Sequence, residues 1–288
     1  MGAGTDQDPV PVVRPTVGTD APGRLATGWE AHRKVDDGLV RRFLFAYASS
    51  LAGPVAAMHG RVVRSDDFVL HDLARPAGYY NGVTLLRPLP FDAWEAVVAT
   101  IHATIDHDAR GEMLLWSAWP TPDLAGHGWE LVGHPPLLLH PRPGPSPAPP
   151  AWMRIEPVRD ARGLADWERV AVEGYPFEDC QPPQPGIVVD DRVLRDPLFH
   201  AWVGYAGDEP ITIGTSYVAH GVNVFALGVT LPAYRGRGAW RAMAHRRLSA
   251  FPHLPAMSLF SDMSRPPAEE LGFLPLTRWT VWSLRRGA

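Results

Sequence analysis

The sequence predicts an α/β (α+β) protein, a mixed central sheet with flanking helices, built as two domains in tandem. Three observations carry that expectation. An apolar, β-branched run, Val222 to Val229, is followed by the turn Arg235-Gly236-Arg237-Gly238 and then by apolar residues at helical spacing. Strand-like and helix-like segments alternate in the same manner earlier in the chain. Between the two series lies PRPGPSPAPP, residues 141–150, whose prolines favour extended polyproline II and cannot join a helix or central strand. A chain of 288 residues is long enough for two cores.

The elements follow in order. Residues 1–27 are Gly, Pro, Thr and Asp with scattered valines, which predicts a disordered or loosely docked arm. Residues 28–140 form the first domain. Leu39 to Ala57 carries apolar residues at helical spacing and predicts one or two helices. Phe68–Leu70 and Gly82–Leu86 read as strands, the second arriving from Tyr79-Tyr80-Asn81. A helix from Phe91 buries Trp94, Val97, Ile101 and Ile105. Met113–Trp116 is a short buried strand, and Trp129–Leu139 holds another. Residues 141–150 read as a semi-rigid tether, with a partner-binding PxxP ligand as the weaker alternative.

Residues 151–288 form the second domain. Met153–Val158 alternates as a strand, and a helix follows through Leu164, Trp167, Val170 and Ala171. Gly174-Tyr175-Pro176-Phe177 breaks it and opens a Pro-rich loop to about Pro185. Phe199–Tyr205 and Ile211–Ala219 are strands joined by Gly207-Asp208-Glu209-Pro210. His220-Gly221 turns into Val222–Val229. A strand at Ala256–Phe260, a short helix near Pro266–Glu270 and a strand at Thr277–Leu284 close the chain.

Composition excludes several classes. The net charge of −4 gives no global attraction to nucleic acid or anionic membrane. No apolar run approaches the ~20 residues of a spanning helix, and no secretory signal is visible at the N-terminus. The single cysteine, Cys180, cannot form an internal disulfide and suits a reducing, cytoplasmic setting. Without a neighbouring base it reads as an inert thiol. Lys34 is the only lysine; the Arg, Ala, Gly and Pro bias reads as high-GC bacterial coding. His134 and His140 lack carboxylate or cysteine neighbours at ligand spacing, so no metal site is expected.

Strand, glycine turn and helix together make an anion site. The first amides of a helix have no internal partner, and the macrodipole favours negative charge there. Glycine lets a phosphate approach the backbone, and Arg235 and Arg237 add cationic donors. With the helix starting at about Gly236, a diphosphate is expected on the amides of Arg235, Gly236, Arg237, Gly238, Ala239 and Trp240. The spacing is not G-x-G-x-x-G at the head of a βαβ unit, and no lysine follows as in a nucleotide triphosphate loop.

The stretch resembles the acyl-CoA loop of the GNAT acyltransferase superfamily, whose pattern is [Q/R]-x-x-G-x-[G/A] after a strand ending V-x-x-P or T-x-P. Thr230, Pro232, Arg235 and Gly238 fall at those places, with Gly236 as an extra glycine. The closing signature, an Asn followed by Y-x-x-L-G-F, is half present as Leu271-Gly272-Phe273 in SDMSRPPAEELGF. The first domain echoes the second half of such a unit, with Gly126-His127-Gly128-Trp129 near the L-G-F place and no loop between Arg87 and Trp94. It is expected to be a degenerate companion copy; the plain alternative is an unrelated α/β lid. The resemblance implies two tandem GNAT-like domains, acetyl-CoA or another acyl-CoA as cofactor, and transfer of its acyl group to a small-molecule amine. The strand Leu227–Val229 would offer a backbone amide to the thioester carbonyl, with Thr230 leading into the loop.

Departures from the pattern leave the catalytic groups open. The last small loop residue is Trp240, which either faces the core or narrows the channel. The Asn near the pantetheine arm is Ser261. The Tyr that protonates the thiolate is Ala268, and the strand position of a Glu base is Val224. Substitutes are His220, which titrates near neutrality, Glu178 and Asp179 in the loop expected to face the acceptor, and Ser261. His220, Glu178 and Asp179 each have a plain reading as a solvated surface group, and Ser261 can still hydrogen-bond but is shorter than Asn. The alternatives to an N-acetyltransferase are a catalytically silent acyl-CoA sensor or assembly partner, and another reaction on the acyl-CoA. The sequence fits a monomer or homodimer equally.

Overall fold

The structure is a computed structural model that describes residues 38–141, 144–175 and 177–286. The expected arm at 1–27 lies outside them. Helix α1 (Leu39–Ala57) is one helix; Pro54 falls in its last turn, where its ring does not interrupt the buried face of Phe43, Leu44, Tyr47 and Leu51. Strands β1 (Arg61–Arg64), β2 (Phe68–Asp72) and β3 (Gly82–Leu85) follow, then helix α2 (Trp94–Thr104) and strand β4 (Met113–Ser117). The apolar stretch from Trp129 to Leu139 divides in two, β5 (Glu130–Gly133) and β6 (Pro136–His140).

After the proline-rich segment come β7 (Arg154–Pro157) and α3 (Ala161–Gly174), whose N-cap Asp160 accepts from Gly163 N–H at 2.9 Å. Then follow β8 (Phe199–Ala206), β9 (Glu209–Ala219), β10 (Val222–Thr230), α4 (Ala239–Ala250), β11 (Ala256–Leu259) and α5 (Arg265–Glu270). The expected last strand is two strands, β12 (Leu274–Arg278) and β13 (Thr280–Leu284). Trp279 between them is fully buried and meets Phe43 and Tyr47 edge-on, with centroids 5.5 and 5.2 Å away.

Two sheets result. The six-stranded sheet runs β1-β2-β3-β4-β13-β5 and the seven-stranded sheet β12-β6-β11-β10-β9-β8-β7. Sheet membership crosses the boundary expected at 141–150. Strand β6 precedes that segment yet lies between β11 and β12, with Ala256 opposite His140 and Leu274 opposite Leu139. Strand β13 ends the chain yet lies between β4 and β5, with Trp282 opposite Leu115 and Leu131. Each series lends its last strand to the other. The proline-rich segment is not a free tether either: Ser146 Oγ donates to His245 O on α4 at 2.9 Å.

Helix α1 packs on β2 and also on β9 and β10, so the first series covers one face of the seven-stranded sheet beside α3. Helix α4 packs against β9 and β10 as well.

Candidate active site

Strands β10 and β11 pair in parallel at two positions only, Asn223 with Ala256 and Val224 with Met257. Beyond Val224 they part. On its other edge β10 bulges against β9: Ala226 faces Thr215 and Gly228 faces Gly214, which leaves Leu227 without a partner. The strand runs on to Thr230, whose hydroxyl lies 2.8 Å from that of Thr212, and then into the glycine loop.

That loop is open. Gly236 and Gly238 have φ of +72° and +85°, a left-handed conformation that glycine adopts without strain. A Cβ on Gly236 would meet nothing within 4 Å, and one on Gly238 only Pro150 at 3.9 Å. Residues 235–238 are exposed. The helix starts at Ala239 and not at Gly236, with Gly238 as its N-cap, because the two left-handed glycines cannot continue a right-handed turn. Ala242 N–H is the first amide there to find an acceptor, Gly238 O at 2.9 Å. Among the described residues, the amides of 236–241 have none. The donor set suits a diphosphate.

The two loop arginines divide the work differently from the expectation. Arg235 is engaged by the protein: Nε donates to Thr230 O at 3.1 Å and Nη2 to Gly174 O at 3.2 Å, which ties the loop to α3. Arg237 stacks at 4.5 Å on Trp152 and 5.3 Å on Tyr234 and stays exposed at the loop's edge.

The bulge gathers three polar side chains from three elements. Tyr175, just past α3, accepts from Gly228 N–H at 2.9 Å and donates to Gly228 O at 3.0 Å. Tyr79, in the short 3₁₀ turn Gly78–Tyr80 of the first series, lies near enough to Tyr175 and Arg247 for each to act on its phenol. Arg247 enters from α4 and is 4% exposed. Its Nη2 donates to Ala226 O at 2.8 Å and also to Thr215 O, and its Cζ lies 3.6 Å from the Phe225 ring centroid. A Cβ on Gly214 would meet Arg247 Cδ at 2.6 Å, and one on Gly228 its Nη1 at 2.9 Å. Paired glycines thus make the room for this guanidinium. It has no carboxylate partner among the described residues, and burial lowers it to about 9, against the pull of Tyr175 and Tyr79. Burial raises the Tyr79 phenol well above its usual value; Tyr175 adds to the rise, while Arg247 and Leu227 N–H oppose it.

No protein-family model matches the chain, and no curated protein does. Solved structures do match its fold. A GCN5-related N-acetyltransferase from Kribbella flavida superposes with a TM-score of 0.60 at 22% identity, over 86% of this chain and 96% of that one. A GNAT-family protein from Novosphingobium aromaticivorans gives 0.53 at 15%, over 82% and 97%. A tandem GNAT protein from the clavulanic acid biosynthesis pathway gives 0.50 at 13%, over 88% and 96%.

The chain has the tandem GNAT fold.

Within this fold the expected positions separate into those at the splay and those away from it. Leu227, Val229 and Thr230 lie on the part of β10 that has left β11. Trp240 is half-buried and packs against the cluster that contains Phe225, Leu248 and Phe273, so it faces the core. Ser261 is exposed just past β11; its Oγ lies 2.5 Å from Ser264 Oγ and accepts Ser264 N–H at 3.2 Å, an N-terminal brace for α5. His220 does not reach the bulge. It sits in the β9–β10 turn, and the seven-residue run of mostly extended chain to Leu227 is on the order of 20 Å. There its ring lies 3.4 Å from Ser49 Oγ, beside a cavity of about 430 Å³ between α1 and the turn. Glu178 and Asp179 occupy the 3₁₀ turn Glu178–Cys180, with Asp179 exposed. Burial pushes the Cys180 thiol up to about 11, which keeps it protonated and inert.

Ala268 and Val224, at the expected acid–base places, are fully buried. The polar residues around the bulge were missed. Tyr79 read as the approach to a strand and Tyr175 as part of a helix break, and Arg247 drew no reading at all. Only the facing glycines, 214 and 228, hinted that β9 and β10 had to accommodate a bulky group.

His134 and His140 are not a pair either: His140 Nε2 bonds Leu271 O at 3.1 Å, while His134 Nδ1 lies 3.4 Å from Thr280 Oγ1.

Proposed function

We propose that this chain is an acyl-CoA-dependent acyltransferase, an N-acetyltransferase that moves the acetyl group of acetyl-CoA directly to a small-molecule amine. One observation carries the reading: a strand that leaves its neighbour at Val224, bulges at Leu227 and runs into an exposed loop with two left-handed glycines and free amides. The residues divide the task. The amides of 236–241 would hold the diphosphate. The splayed segment Leu227–Thr230 would line the pantetheine arm, and Leu227 N–H would polarise the acyl carbonyl where negative charge develops. Bound there, acetyl-CoA supplies the activated acyl group. Of the loop acids Glu178 and Asp179, either would draw the acceptor's ammonium. The tandem halves with exchanged terminal strands form the working unit.

A second reading has its own support. With Ala268 and Val224 buried, a protein that binds acyl-CoA and transfers nothing, as a sensor or assembly partner, fits the same loop. A thiol-release assay with acetyl-CoA and a panel of primary amines separates them. Free thiol with at least one amine supports the transferase. CoA binding by calorimetry with no thiol from any amine supports the silent binder.

A further inference from the structure

The bulge on β10 is held from behind by a cation that has no counter-ion. Arg247, in the last turn of α4, is 4% exposed and pairs with no carboxylate among the described residues. A guanidinium buried that way is costly, so the place it occupies calls for a reason. We infer that Arg247 is a positioning residue for acyl transfer, strengthening from behind the strand the Leu227 N–H that meets the acyl carbonyl. This rests on the acyl-CoA reading of the splay and adds the group that charges its amide.

The carbonyl of Ala226 and the N–H of Leu227 belong to one trans peptide, so they point in opposite directions. Arg247 Nη2 donates to Ala226 O at 2.8 Å and also to Thr215 O of β9, which turns that carbonyl toward β9. Leu227 N–H then faces the other edge of β10, where β11 has parted after Val224. A cation on the carbonyl draws the peptide toward its O⁻–C=N⁺ resonance form and leaves the N–H more positive. The charge thus reaches the acyl oxygen through the peptide, at the atom where negative charge develops.

Both peptides around Leu227 are fixed. Arg247 holds the first at Ala226 O, and the Tyr175 hydroxyl holds the second by accepting Gly228 N–H at 2.9 Å. Arg247 is itself firmly seated. Its Cζ lies 3.6 Å from the Phe225 ring centroid, and its own carbonyl accepts from Asn223 Nδ2 at 3.2 Å. A Cβ on Gly214 would meet the arginine Cδ at 2.6 Å and Met243 Cγ at 2.8 Å, so glycine leaves the stem its path. From Ala239 at the open loop to Arg247 at the bulge, α4 rises about 12 Å. One rigid helix therefore joins the amides that would hold the diphosphate to the cation behind the acyl end.

Two variants test the inference. Arg247→Lys keeps the charge, and Arg247→Gln keeps a donor without it. In thiol release from acetyl-CoA with the amine panel, kcat should fall about tenfold in Arg247→Gln and about threefold in Arg247→Lys, with KM for acetyl-CoA within about twofold of wild type. A second readout is the ¹³C resonance of the carbonyl in a ketone analogue of acetyl-CoA, with a methylene between sulfur and carbonyl. Bound to wild type it should lie downfield of its position in water, and it should move back in Arg247→Gln, with Arg247→Lys between. Equal turnover in all three proteins, or a resonance indifferent to the charge, would overturn the role of Arg247 while leaving CoA binding intact. So would a kcat loss that follows urea stability across the series and not charge, since the side chain would then only plug the bulge. If neither variant folds, the wild-type complex decides: a carbonyl resonance at its position in water would overturn the inference. A wild-type protein that binds CoA but releases no thiol would overturn it together with the transferase reading. A wild-type protein that ignores CoA would overturn the loop itself.

Discussion

Arg286 Nη1 lies 2.5 Å from Asp72 Oδ2, and the two side chains are 0% and 5% exposed. Arg286 comes two residues after the exchanged strand β13, and Asp72 ends β2 of the sheet that receives it. The guanidinium also donates to Gly111 O at 3.0 Å and Arg110 O at 2.9 Å. The chain end is therefore bolted inside the six-stranded sheet. Arg286→Leu leaves Asp72 buried without its cation, and such a loss costs about 3–5 kcal/mol. Urea unfolding measures it; a cost below about 1 kcal/mol would show that the pair holds nothing together.

Gly238→Asp should abolish CoA binding, because its carboxylate would stand against the diphosphate on the same amides. Asp tolerates a left-handed φ better than most residues, so the fold should survive. Calorimetry with CoA, beside a melting curve within a few degrees of wild type, checks both halves of the expectation. Retained affinity would remove the loop from the site.

His71 makes stability depend on pH. It is fully buried, and burial lowers it to about 4, against its bond to Tyr80 and the nearby Asp72. In the unfolded chain it titrates near 6.5, so between those values the unfolded state binds more protons. Stability is present above pH 6.5 and is lost as the pH falls toward 4, by about 3 kcal/mol. Urea midpoints at pH 7 and pH 4.5 should fall less steeply in His71→Gln than in wild type.

Tyr175→Phe removes the hydroxyl that bridges Gly228 N–H and Gly228 O. Both groups lose a partner at the bulge, and a net loss of about 1–2 kcal/mol in stability is expected. Urea unfolding measures it; an unchanged midpoint would show that the bridge holds nothing at the bulge.

The loop was legible in the sequence because its physics is local: Gly236, Gly238 and the apolar strand before them lie within a few residues. The helices were legible from the spacing of Phe43, Leu44, Tyr47 and Leu51, or of Leu164 and Trp167. The exchange of strands was not. Leu137, Leu138 and Leu139 would suit any sheet interior, and nothing in them selects β11 and β12 as neighbours. Trp279 looked like strand interior, although its burial against Phe43 and Tyr47 splits the last stretch. The bulge cluster escaped for the same reason: Tyr79, Tyr175 and Arg247 are far apart in the chain and meet only through tertiary packing.

The crossing of β6 and β13 makes the chain indivisible. A fragment holding the glycine loop alone would lack the strand between β11 and β12, and its partner fragment would lack the one between β4 and β5. Neither half closes its own sheet without a strand from the other, so the two must be made, and must fold, as one piece.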